Sequence, residues 1–319
     1  MALSDSKTAV DLQGHELKKH GNAMFPVGCY RVFPAVDIIP WHWHNDMEVI
    51  LVGQGEVEIG LENGAVRLYQ GQGFFVNANV LHACKDINPP NCCLNSIVFH
   101  PRFIGGSPES VFWERYLNPL LCNTALKGVV FDKSQSWHQD VIRAIEIAWQ
   151  SCASESFGYE FQMWNSLSKM ILELVLHQPP HSTYPPTEKS LRDSERIKCM
   201  LQYIQNHLEE ELTIEQIAKS AMIGKSECLR CFQNTIGTPP MHYVRQLRIQ
   251  KASQLLKETD WKISEIGEKC GFLDMSYFAK SFHMEHGCTP GEYRRKWKEV
   301  SVLHPNTGKT KWSGIGRST

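Results

Sequence analysis

The chain has 319 residues, enough for two domains that each bury a core. Its 33 Lys and Arg against 34 Asp and Glu conceal a division at Ser190: residues 1–190 carry 13 basic and 19 acidic side chains, residues 191–319 carry 20 and 15, so only the C-terminal part has the sign that favours a polyanion. No run approaches the ~20 apolar residues of a membrane span, "MALSDSKTAVDLQG" lacks a signal-peptide pattern, and the spacing of the 11 cysteines does not suggest a disulfide framework; the expectation is a soluble, cytoplasmic protein with reduced thiols and no membrane partner.

From about Gly28 to His100, short apolar runs are broken by glycine. Val57, Ile59 and Leu61 alternate with Glu56, Glu58 and Gly60, and "ENG" at 62–64 is a hairpin turn signal, so this stretch reads as an antiparallel sandwich or barrel. Within it, "HWHNDMEVILVGQG" places His42 and His44 two apart, hence on one strand face, with Glu48 on the same face if the strand runs unbroken. The spacing H-x-H-x3-E-x6-G, with His82 after "GQGFFVNANVL", resembles the metal-binding pattern of the cupin barrel, although the second half of that pattern is degraded around Asn77. Such a set can hold a divalent metal, bind a small polar ligand, or satisfy itself in a core. Trp41 and Trp43 alternate outward and suit packing against helices; Arg31, in "CYRVF", is a candidate for an anionic or hydroxyl group at the barrel mouth. Gly105, Gly106 and Pro108 suggest a loop at the barrel rim, a candidate lid.

Val141, Ile145 and Ala148, then Phe161, Trp164, Leu167, Ile171, Leu174 and Val175, recur at helical spacing and predict two amphipathic helices that pack on the barrel or on a second copy of the chain. "HQPPHSTYPPTEKS" (177–190) is a proline-rich linker, and beyond Trp297 a basic, aperiodic tail follows.

The clearest pattern is a repeat. Phe232, Gly237, Pro240 and Tyr243 recur at a constant shift of 50 as Phe282, Gly287, Pro290 and Tyr293, and Ile214 and Ile217 recur as Ile263 and Ile266. Each copy reads as helix, turn, helix: Thr213 and Gln216 suit a capping box, Gly271 ends a helix, Asp274 caps the next, and Cys228, Cys231 and Phe232 form an inward stripe. The "CLRC" cysteines are therefore read as packing, not as a zinc or redox pair. "MHYVRQLRIQKASQLLKET" (241–259) is a helix joining the copies, a rigid spacer able to place two heads in successive major grooves.

"EIGEKCGFLDMSYFAKSFHMEHGCTPGEYRR" (265–295) is where residues ~194–297 closely resemble the DNA-binding domain of the AraC/XylS family of bacterial transcription regulators. The resemblance implies base-edge contacts from Ser226, Leu229 and Arg230 in the first copy and Met275, Ser276 and Lys280 in the second, with Lys225 and Gln233 as phosphate or edge contacts. Leu229 stands where a polar residue is commoner, Lys262 where a serine-like cap is common, and Gly267 where alanine is usual.

The resulting expectation is an α+β protein: residues 1–178 a cupin-like sensing and dimerisation barrel with two flanking helices, 179–193 a linker, 194–297 two helix-turn-helix motifs joined by a helix, and 298–319 a tail. It is a ligand-responsive regulator of small-metabolite genes, carbohydrate genes foremost. Its partners are an operator duplex, a small effector such as a sugar held by Arg31, His42, His44, Glu48 and His82, a second copy of itself, and RNA polymerase if it activates. No catalytic residue, resident metal or cofactor is assigned, and the alternative is a metal-dependent cupin oxygenase or isomerase carrying a DNA-binding module.

Overall fold

A computed structural model describes residues 20–34, 39–62, 64–87, 92–177 and 188–303. Among the described residues, nine strands form two antiparallel sheets. The five-stranded sheet has the order β1 (Val27–Val32), β8 (Cys93–Phe99), β3 (Met47–Gln54), β6 (Gly73–Val76), β9 (Gly128–Phe131); the four-stranded sheet has β2 (Ile39–His42), β7 (His82–Asp86), β4 (Glu56–Leu61), β5 (Gly64–Tyr69). β4 and β5 pair from Glu56–Tyr69 to Leu61–Gly64, which puts the hairpin turn where "ENG" predicts it. Alternation along β4 sends Val57 and Ile59 inward, where they join Tyr30, Val52, Phe74 and Leu94 between the two sheets.

The outer face of the five-stranded sheet is covered by α3 (Ser136–Ser154) and α4 (Tyr159–His177), the two helices expected from periodicity. Val49, Ile97 and Phe99 from the sheet meet Val141, Ile145, Leu167 and Ile171 in one core. Residues 106–110 form an exposed turn, as the sequence suggests, while the short helices on either side belong to that core: α1 (Arg102–Gly105), a π-helical turn (Trp113–Leu117) and α2 (Asn118–Leu121) bury Ile104, Leu117 and Leu120. Gly105 allows this, because a Cβ there would lie 2.4 Å from Leu117. The strand β9, beyond the region read as β, is pulled into the sheet by Phe131, which is fully buried.

C-terminal to the proline-rich segment, most of which lies outside the described residues, every element is helical: α5 (Glu188–Asn206), α6 (Ile214–Ser220), α7 (Lys225–Thr235), α8 (Pro240–Glu258), α9 (Ile263–Lys269), α10 (Met275–His286) and α11 (Pro290–Leu303). α11 runs past Trp297 into the expected tail, whose residues 304–319 lie outside the described set. By proximity the chain forms two compact units, one of Met1–Asn206 with Glu215–Pro239, the other of His207–Ile214 with Pro240–Thr319. The first unit therefore contains the sheets, α3, α4, α5 and α7; the second contains α8 to α11. In the second, Ile249, Leu256, Ile266, Phe278 and Phe282 make the core, and Arg248 donates to the carbonyls of Leu208 (2.9 Å) and Glu210 (2.5 Å).

Gly271 and Gly287 both adopt left-handed backbone, at φ +82° and +66°, but a Cβ on Gly271 would sit 2.4 Å from the Leu208 carbonyl oxygen whereas Gly287 faces open space. Gly287→Ala is expected to cost about 1–2 kcal/mol for the left-handed conformation alone, and Gly271→Ala distinctly more. Urea unfolding of the two variants checks the order.

Candidate functional site

Among the described residues three places are candidates for binding: a buried polar cluster between the sheets, a cleft beside Arg31, and the exposed faces of α7 and α10.

In the cluster, His42 ends β2 opposite His82, the first residue of β7, as an antiparallel pair. The strand expected to carry His42, His44 and Glu48 together is interrupted at Asn45 and Asp46, so Glu48 arrives from β3 in the other sheet. The four residues still converge: one donor atom from each of His42, His44, Glu48 and His82 lies within 4.8 Å of every other. All four side chains are buried. Each histidine has Nδ1 against a backbone carbonyl, His42 with Pro40 (2.8 Å), His44 with Asp46 (2.9 Å) and His82 with Val80 (2.9 Å). A carbonyl only accepts, so each Nδ1 carries the proton and each Nε2, when the ring is neutral, offers a lone pair. Glu48 Oε2 lies 3.1 Å from His82 Nε2 and 3.6 Å from His44 Nε2, while Oε1 accepts from the Ser96 hydroxyl at 2.6 Å. Burial pushes the Glu48 carboxyl up, and the His44 and His82 imidazoles beside it outweigh that, leaving the group well below its usual range. The carboxylate and three imidazoles fit a single divalent ion with bonds of about 2.0–2.2 Å, and each imidazole is already oriented from its far side by a carbonyl.

Arg31 does not join them. It lies on β1, its guanidinium 4.7 Å from the Trp149 ring centre, in a cleft of about 440 Å³ that Leu51, Gln70, Asn95, Glu146 and Gln150 also line. The Asn95 side-chain oxygen there is buried and accepts no hydrogen bond. The expected single ligand site is thus two places on the sheets. Ser96, which sequence reasoning missed, has no local signal, since only strand pairing brings β8 beside Glu48.

On α7, Cys228, Cys231 and Phe232 are buried, and Lys225, Ser226, Leu229, Arg230 and Gln233 are exposed on the opposite side. Lys225 pairs with Glu215 at 2.7 Å, and Arg230 pairs with Glu227. Glu227 also receives Arg196 of α5 at 3.2 Å, which neutralises the Asp193 and Glu227 carboxylates beside Cys231. On α10, Asp274 caps the helix as expected, accepting from the backbone N–H of Ser276 (2.7 Å) and Tyr277 (3.0 Å). Ser276 and Lys280 are exposed, but Met275 is half-buried: it packs on the core of this motif, where a Cβ on Gly267 would lie 2.7 Å from its sulfur. The departures at Gly267 and Met275 thus match one another. His283, exposed and 50 residues after Gln233, is the equivalent position that the sequence reading passed over, although the repeat marks it.

The sequence family described as an AraC-like ligand-binding domain matches residues 29–140, and one described as a helix-turn-helix domain matches 201–296. An uncharacterised HTH-type transcriptional regulator, YdeC of Bacillus subtilis (strain 168), is 27% identical over 289 residues, covering 90% of this chain and 97% of its own. The HTH-type transcriptional activator RhaR of Cronobacter sakazakii is 25% identical over 263 residues, covering 80% of this chain and 87% of its own. A solved transcriptional regulator with an AraC-type DNA-binding domain, from Chromobacterium violaceum, is 28% identical over 32% of this chain and 91% of its own, with a TM-score of 0.31. The two curated relatives carry the names of transcriptional regulators.

Glu48's folded-state pKa lies below the ordinary 4.5. Its contribution to stability is therefore complete above about 4.5 and is lost as the pH falls through the lower, folded value. Urea unfolding of chelator-treated protein from neutral pH to below 4.5 should show wild type losing stability faster on acidification than Glu48→Gln.

Proposed function

We propose that this chain, which matches an AraC-like ligand-binding domain and a helix-turn-helix domain, is an AraC-type transcription regulator that binds one operator duplex through α7 and α10 as a homodimer, under the control of a small effector held by the sheets of its N-terminal part. The observation that carries the DNA reading is the coincidence of two exposed faces at a shift of 50 residues: Ser226 with Ser276, Arg230 with Lys280, Gln233 with His283, each on a helix whose other face is buried. Two independent core helices have no reason to repeat their solvent-facing polar residues, whereas two reading heads of one design do. Arg230 and Lys280 provide donors for guanine edges or phosphates, and Leu229 offers only apolar surface, suited to a thymine methyl.

The effector is a small polar metabolite, a carbohydrate being the first class to try. The cleft of Arg31, Trp149 and Asn95 supports this reading with a cation, an aromatic face and a carbonyl acceptor in one concavity. An effector there touches α3 through Glu146 and Trp149, and α3 packs along α4.

α4 supports the dimer. Its inner residues Met163, Leu167, Met170 and Leu174 are buried, yet Phe161, Trp164, Leu172 and Leu176 are exposed, 81% in the case of Phe161. At 100° per residue these four fall within an arc of about 120° on one side of the helix. A second copy of the same stripe covers it with apolar surface of matching length. Where the protein activates transcription, RNA polymerase is a further partner.

Selection of bound duplexes from a random pool should return a defined sequence with affinity that falls steeply with salt. Arg230→Ala should relax that sequence at one or two base pairs by about 1–3 kcal/mol; an unchanged preference removes Arg230 from the reading face. Phe161→Asp with Leu172→Asp should convert a dimer to a folded monomer in sedimentation equilibrium, and a dimer that survives both changes assigns dimerisation elsewhere.

A further inference from the structure

The cleft beside Arg31 lies on the helix-covered face of the five-stranded sheet, away from the space between the two sheets. Alternation along β1 decides this. Val27 and Cys29 belong to the core under α3 and α4, Tyr30 and Val32 to the layer between the sheets, so Arg31 continues the outer row. Register completes that row: Arg31 is paired with Asn95 of β8, and Asn95 with Leu51 of β3, which sets the three side by side on neighbouring strands. Two residues beyond Leu51, Gly53 leaves the floor without a side chain. Glu146, Trp149 and Gln150 of α3 form the opposite wall, and the space between holds about 440 Å³.

Three groups here lack the partner that their chemistry asks for. The Arg31 guanidinium rests 4.7 Å from the centre of the Trp149 ring, which is itself anchored by its indole N–H to the Tyr30 carbonyl at 3.4 Å. Among the described residues Arg31 meets no carboxylate. Glu146, exposed on α3 three residues before Trp149, meets no cation among them, and the two do not pair with each other. The Asn95 side-chain oxygen is buried and accepts no hydrogen bond, a cost that a donor entering the cleft removes. A planar guanidinium suits a carboxylate taken by two parallel bonds. A carboxylate and a carbonyl oxygen both suit an ammonium, which only donates. A sugar hydroxyl can meet any one of these groups, yet it cancels neither charge.

We propose that the Arg31 cleft binds a free α-amino acid as its zwitterion, Arg31 taking the carboxylate while Glu146 and the Asn95 oxygen take the ammonium. This rests on the effector reading above and narrows its small polar metabolite to one class. The two charges of the ligand are held by different elements, β1 and α3. Binding therefore ties the sheet to the helix that packs along α4.

The test titrates the full chain with each of the twenty standard amino acids, and with L-arabinose and D-glucose, by isothermal calorimetry. An amino acid should bind at one molecule per chain. Its amide, which lacks the carboxylate, and its N-acetyl form, which lacks the ammonium, should each bind weaker by about tenfold or more. Arg31→Gln should abolish the preference over the amide, and Glu146→Gln the preference over the N-acetyl form. Both side chains are exposed, so the melting temperatures of the two variants without ligand should match wild type. Binding of none of the twenty overturns the proposal, and so does a bound amino acid whose affinity is unchanged in both variants. Duplex affinity measured with and without the bound amino acid separates the site from the effector reading. A zwitterion that binds through Arg31 and Glu146 but leaves duplex affinity unmoved upholds the site and removes it from regulation. A sugar that shifts duplex affinity, and loses that effect in Arg31→Gln, upholds regulation and overturns the zwitterion.

Discussion

A carboxylate out of water, ringed by imidazoles whose outer nitrogens are committed to carbonyls, sets the terms for the N-terminal half of this protein. Pro40, Asp46 and Val80 hold the three rings by their Nδ1 atoms, so the polarity of the interior is set by backbone from strand β2, the bend before β3 and the loop before β7. The two sheets must close to bring Glu48 from β3 against His82 from β7, and the apolar layer of Val57, Ile59, Phe74 and Leu94 beside them closes the same gap. Burial of that layer favours sheet closure at about 25 cal/mol per Å² of apolar surface. The charged cluster opposes closure unless it is neutralised.

The elements most legible in the sequence were those specified locally. Val57, Ile59 and Leu61 give a period of two, and the residues of α3 and α4 a period near four, because one face of each is buried. Asp274 reads as a cap because its carboxylate reaches two backbone N–H groups of its own helix. The repeat was visible because the cores of the two motifs need the same aromatic and aliphatic positions, Phe232 and Phe282 being fully buried alike.

What stayed hidden depends on contacts between distant segments. The composition of the cluster was readable from its spacing, but through the wrong geometry, since a turn at Asn45 and Asp46 replaces the continuous strand. Arg31 looks like a companion of the histidines only until β1 is paired with β8, which turns it toward Trp149. Ser96 and Lys198 lie 48 and 119 residues from the groups they serve, Glu48 and Asn79, and no local pattern marks such a partner. Gly105 reads as a loop residue in a sequence and proves to be a point of close packing. Met275 reads as a base contact by position, until the missing Cβ of Gly267 makes room for it in the core of its own motif.

The division of the chain into compact units separates α7 from α10, placing the first with the sheets and the second with its own aromatic core. If the reading face is the one proposed, the first motif is built into the same compact unit as the sheets, and Arg230 would meet its operator while sharing the Glu227 carboxylate with Arg196 of α5.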